Sequence, residues 1–258
     1  MSGRRVLVTG AASGLGAALV EAFVERGDRV LATDLEAPAA PPGGHALRLD
    51  VTSADDWAAA HAWVTEGWGG LDVLINNAGV PGGGRIDVAD LDEWQWITDI
   101  NLFGVVRGCR IFTPTFKAQR SGRIVNVASL AGLVHPAGMA SYNAVKAAVV
   151  ALSETLGHEL AAYDVGVTVV CPSYFRTNLM DNLQGRDTAL GAVMRHLVEE
   201  SPTTAADIAT AVLAGIDAGD EIVLPDESAR AAYALKTHDR ASYDALMRAQ
   251  AATLEERA

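Results

Sequence analysis

The chain has 258 residues, 50% of them hydrophobic and 20% charged. That suits one large α/β domain, or at most two small ones, and excludes a wholly disordered chain. The formal net charge is −12, and an acidic surface repels phosphate backbones and anionic headgroups, so neither nucleic acid nor a membrane surface is an expected partner.

Short β-branched runs alternate with longer helical stretches. Arg5–Thr9 reads as a strand, followed by a glycine-rich turn and a helix over Gly14–Glu25. Strand Arg29–Thr33 comes next, then the Pro/Gly-rich loop Ala37–Gly44 and strand Ala46–Leu49. Helix Ala54–Glu66 leads to strand Asp72–Asn76. The helical pattern over Leu91–Gln119 reads as two helices broken near Asn101. Strand Arg123–Val127, helix Ser141–Tyr163 and strand Val167–Cys171 follow. Pro172–Ser201 departs from the alternation, and a long insertion at the carboxyl end of a strand is where substrate lids are commonly built. Helix Ala205–Ala218 and strand Glu221–Leu224 complete the pattern, and Asp226–Ala258 reads as one or two charged, Ala-rich helices.

This order predicts an α/β fold with a single doubly wound parallel sheet of about seven strands. Residues 1–225 make the domain, with a lid over 172–201 and a helical C-terminal extension of the same domain over 226–258. Several strands are apolar at nearly every position, as strands covered on both faces are. Cys109 and Cys171 are too few and too far apart for a disulfide framework and read as buried free thiols. The N-terminus carries no apolar signal core, so a soluble cytoplasmic protein is expected.

The first strand runs into Thr9-Gly10-Ala11-Ala12-Ser13-Gly14-Leu15-Gly16 and then a helix. Glycines permit a tight turn and close approach of the backbone to a pyrophosphate, and the helix N-terminus supplies free N–H groups. By itself such a loop also fits an ordinary strand–helix turn; the strand before and helix after favour a dinucleotide site. Asp34, at the end of the second strand, is placed to accept hydrogen bonds from an adenosine ribose and to repel a 2′-phosphate. Ser13 and Leu35 stand where a basic residue could hold that phosphate, so NAD is the expected cofactor. Asp50-Val51 ends the third strand near an adenine position. Asn77, Ala78 and Gly79 end the fourth, their backbone bordering the cofactor.

Tyr142 and Lys146 stand at i and i+4 of a helix, so they share a face. An ammonium beside a phenol favours the phenolate, which predicts a tyrosine pKa lowered toward neutrality and a usable acid/base. The pair alone also fits a helix-surface contact. Ser129 follows the fifth strand, and Asn101 sits at the helical break.

With these in place the sequence resembles the short-chain dehydrogenase/reductase family, in its branch of roughly 250 residues, over residues 5 to about 225. It carries Thr9-Gly10-x-x-x-Gly14-x-Gly16, Asn76-Asn77-Ala78-Gly79, Asn101, Ser129, Tyr142 and Lys146 in the family's order. The resemblance implies a Rossmann-type fold and an oxidoreductase interconverting a secondary alcohol and a ketone. It also implies roles. Tyr142 exchanges a proton with the substrate oxygen. Lys146 lowers the pKa of Tyr142 and binds the nicotinamide ribose. Ser129 polarises the substrate oxygen. Asn101 holds a water linking Lys146 to solvent. Thr177 bonds the carboxamide, and Pro172 is a further cofactor-binding residue. A homo-oligomer, dimer or tetramer, is implied as well.

Two departures stand out. Pro172-Ser173 replaces the family's frequent Pro-Gly, and serine tolerates positive φ less well than glycine. After the last strand, Leu224-Pro225-Asp226 leads into about thirty further residues instead of Asp-Gly-Gly and a short tail. The apolar lid hints at a hydrophobic substrate. His135, in the loop after Ser129, is a candidate polar contact to it, and the scattered histidines make no metal site. Two alternatives stand beside the leading expectation: an NADP(H)-dependent carbonyl reductase of a biosynthetic intermediate, and a non-catalytic NAD(H)-binding module.

Overall fold

The computed structural model describes residues 3–256; the outermost two positions at each end of the expected ranges 1–225 and 226–258 lie outside them. The chain alternates β1 (Arg5–Thr9), α1 (Gly14–Glu25), β2 (Arg29–Asp34), β3 (His45–Arg48), α2 (Ala54–Trp68) and β4 (Val73–Asn76). It continues through α3 (Leu91–Thr98), a π-helical turn (Asp99–Phe103), α4 (Gly104–Gln119), β5 (Gly122–Val127), α5 (Ala131–Val134), α6 (Ala140–Leu160) and β6 (Val165–Val170). Then come α7 (Thr188–Glu199), α8 (Ala205–Ala218), β7 (Ile222–Val223), α9 (Glu227–His238) and α10 (Arg240–Glu256).

All seven strands join one parallel sheet in the order β3-β2-β1-β4-β5-β6-β7. The order reverses between β1 and β4, and the carboxyl ends of the strands on either side of that point diverge into a crevice. β1, β2, β4, β5 and β6 are buried along nearly their whole length. One apolar core lies under α2, α4 and α6, around Trp57, Phe112, Phe116 and Val149. The other lies under α1 and α8, around Leu19, Phe23, Ile208 and Val212.

The expected break near Asn101 is a single π-helical turn. Such turns bend a helix where one extra residue is accommodated. The lid segment contains a 3-10 turn (Asn178–Asn182) and α7. The C-terminal extension is two helices. A third, smaller apolar cluster joins lid and extension: Met139, Met180, Leu190, Met194, Val198 and Leu254. The short α5 was absent from the sequence pattern, as four residues carry no periodicity. β7 is two residues long rather than four. Among the described residues no helix is long and apolar enough to cross a membrane.

Candidate active site

The turn after β1 is shaped by close packing. Gly10 has φ 65°, and a Cβ there would lie 2.8 Å from the Cα of Ala78. A Cβ on Gly16 would lie 1.9 Å from the Gly10 carbonyl oxygen, so α1 can start this close to the turn only without a side chain there. Ser13 precedes α1 in extended conformation and gives it no side-chain cap. The first-turn amides of α1 therefore face the crevice, ready for an anion.

Polar side chains stitch this turn to its neighbours. Asp34 accepts the Ala12 amide at 2.9 Å and the Leu35 amide at 2.7 Å. The Thr9 hydroxyl accepts the amides of Asn77 and Ala78, each at 3.0 Å. Asn77 returns its side-chain amide to the Thr9 and Gly10 carbonyls at 2.9 and 3.2 Å. Asp50 accepts the Thr52 amide and hydroxyl at 2.9 and 2.7 Å.

Tyr142 and Lys146 project from α6 toward the ends of β5 and β6, and Ser129 approaches from the segment after β5. The Lys146 ammonium is buried and donates to the Val127 carbonyl at 3.1 Å. It lies 5.7 Å from the centre of the Tyr142 ring. Burial pushes the Tyr142 phenol up to about 12, with the Ser129 hydroxyl partly opposing. Burial also brings Lys146 down to about 8. The expected lowering of Tyr142 toward neutrality is thus replaced by a raised value. The phenol is desolvated, and, among the described residues, the one hydrogen bond of the ammonium goes to a backbone carbonyl and not to the phenol.

A cleft of about 840 Å³ runs from the Gly10 turn and Asp34 at one end to Met194 and Gln250 at the other. Its wall includes Gly10, Ser13, Gly14, Leu15, Asp34, Asp50, Val51, Asn77, Ala78 and Gly79, and also Ser129, Tyr142, Lys146, Pro172 and Thr177. Two expected site residues stand behind it. Gly16 is a packing residue under the turn. Asn101 is fully buried, its side chain accepting the Val80 amide at 2.8 Å and donating to the Val80 carbonyl at 2.9 Å.

His135 is not part of the wall. It is exposed, with φ 57°, its Nδ1 2.7 Å from the Lys236 ammonium of α9 and its Nε2 3.2 Å from the Gly132 carbonyl. The contact to substrate expected of it is replaced by one to the extension. Residues that motif spacing did not single out complete the wall: Trp96, Met139, Tyr174 and Gln250. Only their place in the fold marks them. Tyr174, half-buried, its phenol pushed up to about 12 by desolvation, donates its hydroxyl to the Met139 sulfur at 3.5 Å.

The model of the short chain dehydrogenase family matches residues 4–187. The chain belongs to the short-chain dehydrogenase/reductase family.

A curated relative, 2-(R)-hydroxypropyl-CoM dehydrogenase of Xanthobacter autotrophicus, is 34% identical over 231 residues, 83% of this chain and 92% of that protein. A solved family member from Burkholderia phymatum, in complex with NAD, superposes with a TM-score of 0.84 at 28% identity, covering 93% of this chain and 94% of that one. Another, from Burkholderia cenocepacia and in complex with NADP, has a TM-score of 0.81 at 28% identity, covering 95% and 98%. The chain is therefore an oxidoreductase of this family acting on CH–OH groups, with a nicotinamide cofactor.

In this dehydrogenase/reductase the two departures meet. Ser173 has no positive φ, and both its amide and its hydroxyl are bound by Asp226, the first residue of the altered C-terminal path.

Proposed function

We propose that the protein is an NAD(H)-dependent oxidoreductase that interconverts a hydrophobic secondary alcohol and its ketone. The observation that carries this is the convergence of Ser129, Tyr142 and Lys146 on one wall of a cleft whose far end holds the open amides of α1. The residues present suit a dinucleotide. The Gly10 turn lies flat against Ala78, the α1 amides face outward, and a Cβ at Gly14 would meet the Thr177 hydroxyl at 2.6 Å. When bound, the nicotinamide supplies hydride exchange.

The chain's own residues manage position and proton. Ser129 and Tyr142 hold the substrate oxygen between two hydroxyls. With its raised pKa, Tyr142 is in its acid form across neutral pH and gives its proton to the oxygen in the ketone-to-alcohol direction. The reverse direction needs the phenolate, which Lys146, the one Lys or Arg of the cleft wall among the described residues, stabilises. Lys146 also binds the nicotinamide ribose, and Thr177 and the Pro172 backbone hold the carboxamide. The Asn101 side chain is fully engaged with Val80, so the water-holding role falls to its backbone in the π-helical turn.

Asp34 and Asp50 line the adenosine end and, among the described residues, no arginine does, which supports NAD(H) over NADP(H). Titration with NADH and NADPH, read by tryptophan-to-nicotinamide energy transfer, tests this. NADH is expected to saturate at least about tenfold more tightly, about 1.4 kcal/mol. Equal or tighter NADPH binding overturns the NAD(H) assignment. Tyr142→Phe is expected to lose at least about a hundredfold in turnover while still binding NADH; near-full turnover would overturn the mechanism.

A further inference from the structure

The extension does more than prolong the chain. α10 lies against the segment leading into α6. Just before it, the Lys236 ammonium of α9 donates to the Leu133 carbonyl at 2.5 Å, and the Tyr243 hydroxyl of α10 donates to the Val134 carbonyl. At the other end Leu254 packs with Met139, and Glu255 pairs with Arg85 at 3.5 Å. Four residues on the inward face of α10, Tyr243, Met247, Gln250 and Leu254, follow helical spacing. Three are what an apolar stripe requires. The fourth, Gln250, is half-buried and lines the cleft, and its amide has no hydrogen-bond partner among the described residues.

The surroundings narrow what that amide meets. Leu254, one turn further along α10, packs with Met139, Met180, Met194 and Val198, all four of which line the cleft, and the lid side of the cleft also carries the amides of Asn182 and Gln184. Among the described residues no Lys, Arg or His other than Lys146 lines the cleft. Lys146 sits at the reacting end, so a carboxylate, sulfonate or phosphate at the substrate's far end meets no cation among the described residues. In an apolar wall, an amide offers one donor site and one acceptor site for a neutral oxygen.

We propose that Gln250 is a specificity-determining residue: it hydrogen-bonds a neutral hydroxyl or carbonyl oxygen on the substrate end remote from the reacting carbon. The substrate class is an uncharged, largely apolar, doubly oxygenated alcohol or ketone, with α10 as the far wall of its pocket. This rests on the oxidoreductase function proposed above.

The probes are cyclohexanol against 1,4-cyclohexanediol, 2-decalol against 2,6-decalindiol, and 4-hydroxycyclohexanecarboxylate as the anionic counterpart. Each is assayed with NAD⁺ and the full-length protein. The wild type is expected to favour the diol of at least one pair by roughly tenfold in kcat/KM, and to disfavour the carboxylate by as much. Gln250→Leu is expected to erase the diol preference by raising KM for the diol more than for the mono-alcohol, with an unchanged or higher Tm. Gln250→Arg is expected to raise kcat/KM for the carboxylate.

A diol preference that survives Gln250→Leu overturns the assignment, as does its absence from both wild-type pairs. Equal use of the carboxylate overturns the uncharged substrate class. No turnover of any neutral probe, with NADH still binding, overturns the substrate class and leaves the oxidoreductase function standing. Loss of NADH binding, or full turnover by Tyr142→Phe, overturns both.

Discussion

Ser173 and Asp226 join the start of the lid to the start of the C-terminal extension. The Ser173 amide and hydroxyl donate to the Asp226 carboxylate at 2.9 and 2.5 Å. The same carboxylate accepts the Ala229 amide at 2.8 Å, which makes it the N-cap of α9. A serine after Pro172 and an aspartate after Pro225 are thus one feature. Asp226 is buried, so removing it strands donors that have no water to turn to. Asp226→Ala is expected to cost about 2 kcal/mol in urea unfolding. Asp226→Asn keeps a cap oxygen and is expected to cost less.

Glycine substitutions separate packing from propensity. Gly16→Ala places a methyl group 1.9 Å from the Gly10 carbonyl oxygen, so α1 must move away from the turn. NADH binding is expected to fall at least about tenfold, with a loss of about 2 kcal/mol in stability. Gly67, exposed in α2, has open space where its Cβ would be. Gly67→Ala is expected to gain about 0.5–1 kcal/mol and to leave NADH binding unchanged. Thermal unfolding and the same fluorescence titration read both.

Lys146 gives the protein a pH signature. Burial holds its pKa at about 8, below the 10.5 of a free lysine. The unfolded chain therefore binds the extra proton between those values, so the contribution of Lys146 to stability rises with pH across that window, while the buried Cys109 and Cys171 thiols, raised to about 12, act in the opposite sense above about pH 9. Below about 8 the charged, desolvated ammonium is a constant cost. Lys146→Met is expected to remove that contribution, so that in urea titrations stability falls more with pH between about 8 and 10 than in the unsubstituted protein, and to raise Tm at neutral pH while abolishing turnover. Above pH 10, burial of Tyr142 acts in the opposite sense, because the folded state then keeps a proton that the unfolded state loses.

The lid is tied down by one buried carboxylate. Asp187, at the N-terminus of α7, accepts the Arg85 amide, Nε and Nη2 at 3.0, 2.9 and 3.2 Å, and the Leu190 amide at 3.2 Å. Burial alone would raise its pKa; the Arg85 and backbone donors outweigh that and hold it below the usual carboxylate range. That stability is present at neutral pH and is lost as pH falls through the lowered value. Asp187→Ala leaves the Arg85 guanidinium without its main partner and is expected to cost about 3 kcal/mol. Limited proteolysis is expected to cut faster within 183–199, and KM for substrate is expected to rise more than kcat falls.

Much of the fold was legible because its signals are local. Strands buried on both faces read as continuous apolar runs, and α1, α2 and α8 were placed to within two residues. β7 and α5 were not, since two and four residues carry no period to read. Among the expected site residues, those on strand ends and on one face of α6 came together in the cleft, because strand ends and i, i+4 spacing are set by geometry near in sequence. Asn101 and His135 did not follow. Their side chains were claimed by Val80 and by Lys236.

The sequence by itself determined the sheet, the glycine turn with Asp34, and the Ser129, Tyr142 and Lys146 set. Each follows from a period or a spacing within one strand, helix or turn. Only the tertiary structure decided the protonation of Tyr142 and Lys146, the joining of Ser173 to Asp226, and the arrival of Gln250 in the cleft. Desolvation depends on everything packed around a group, and contacts such as Ser173–Asp226 span 53 residues. Their partners are chosen by how helices dock on the sheet, which no local pattern encodes.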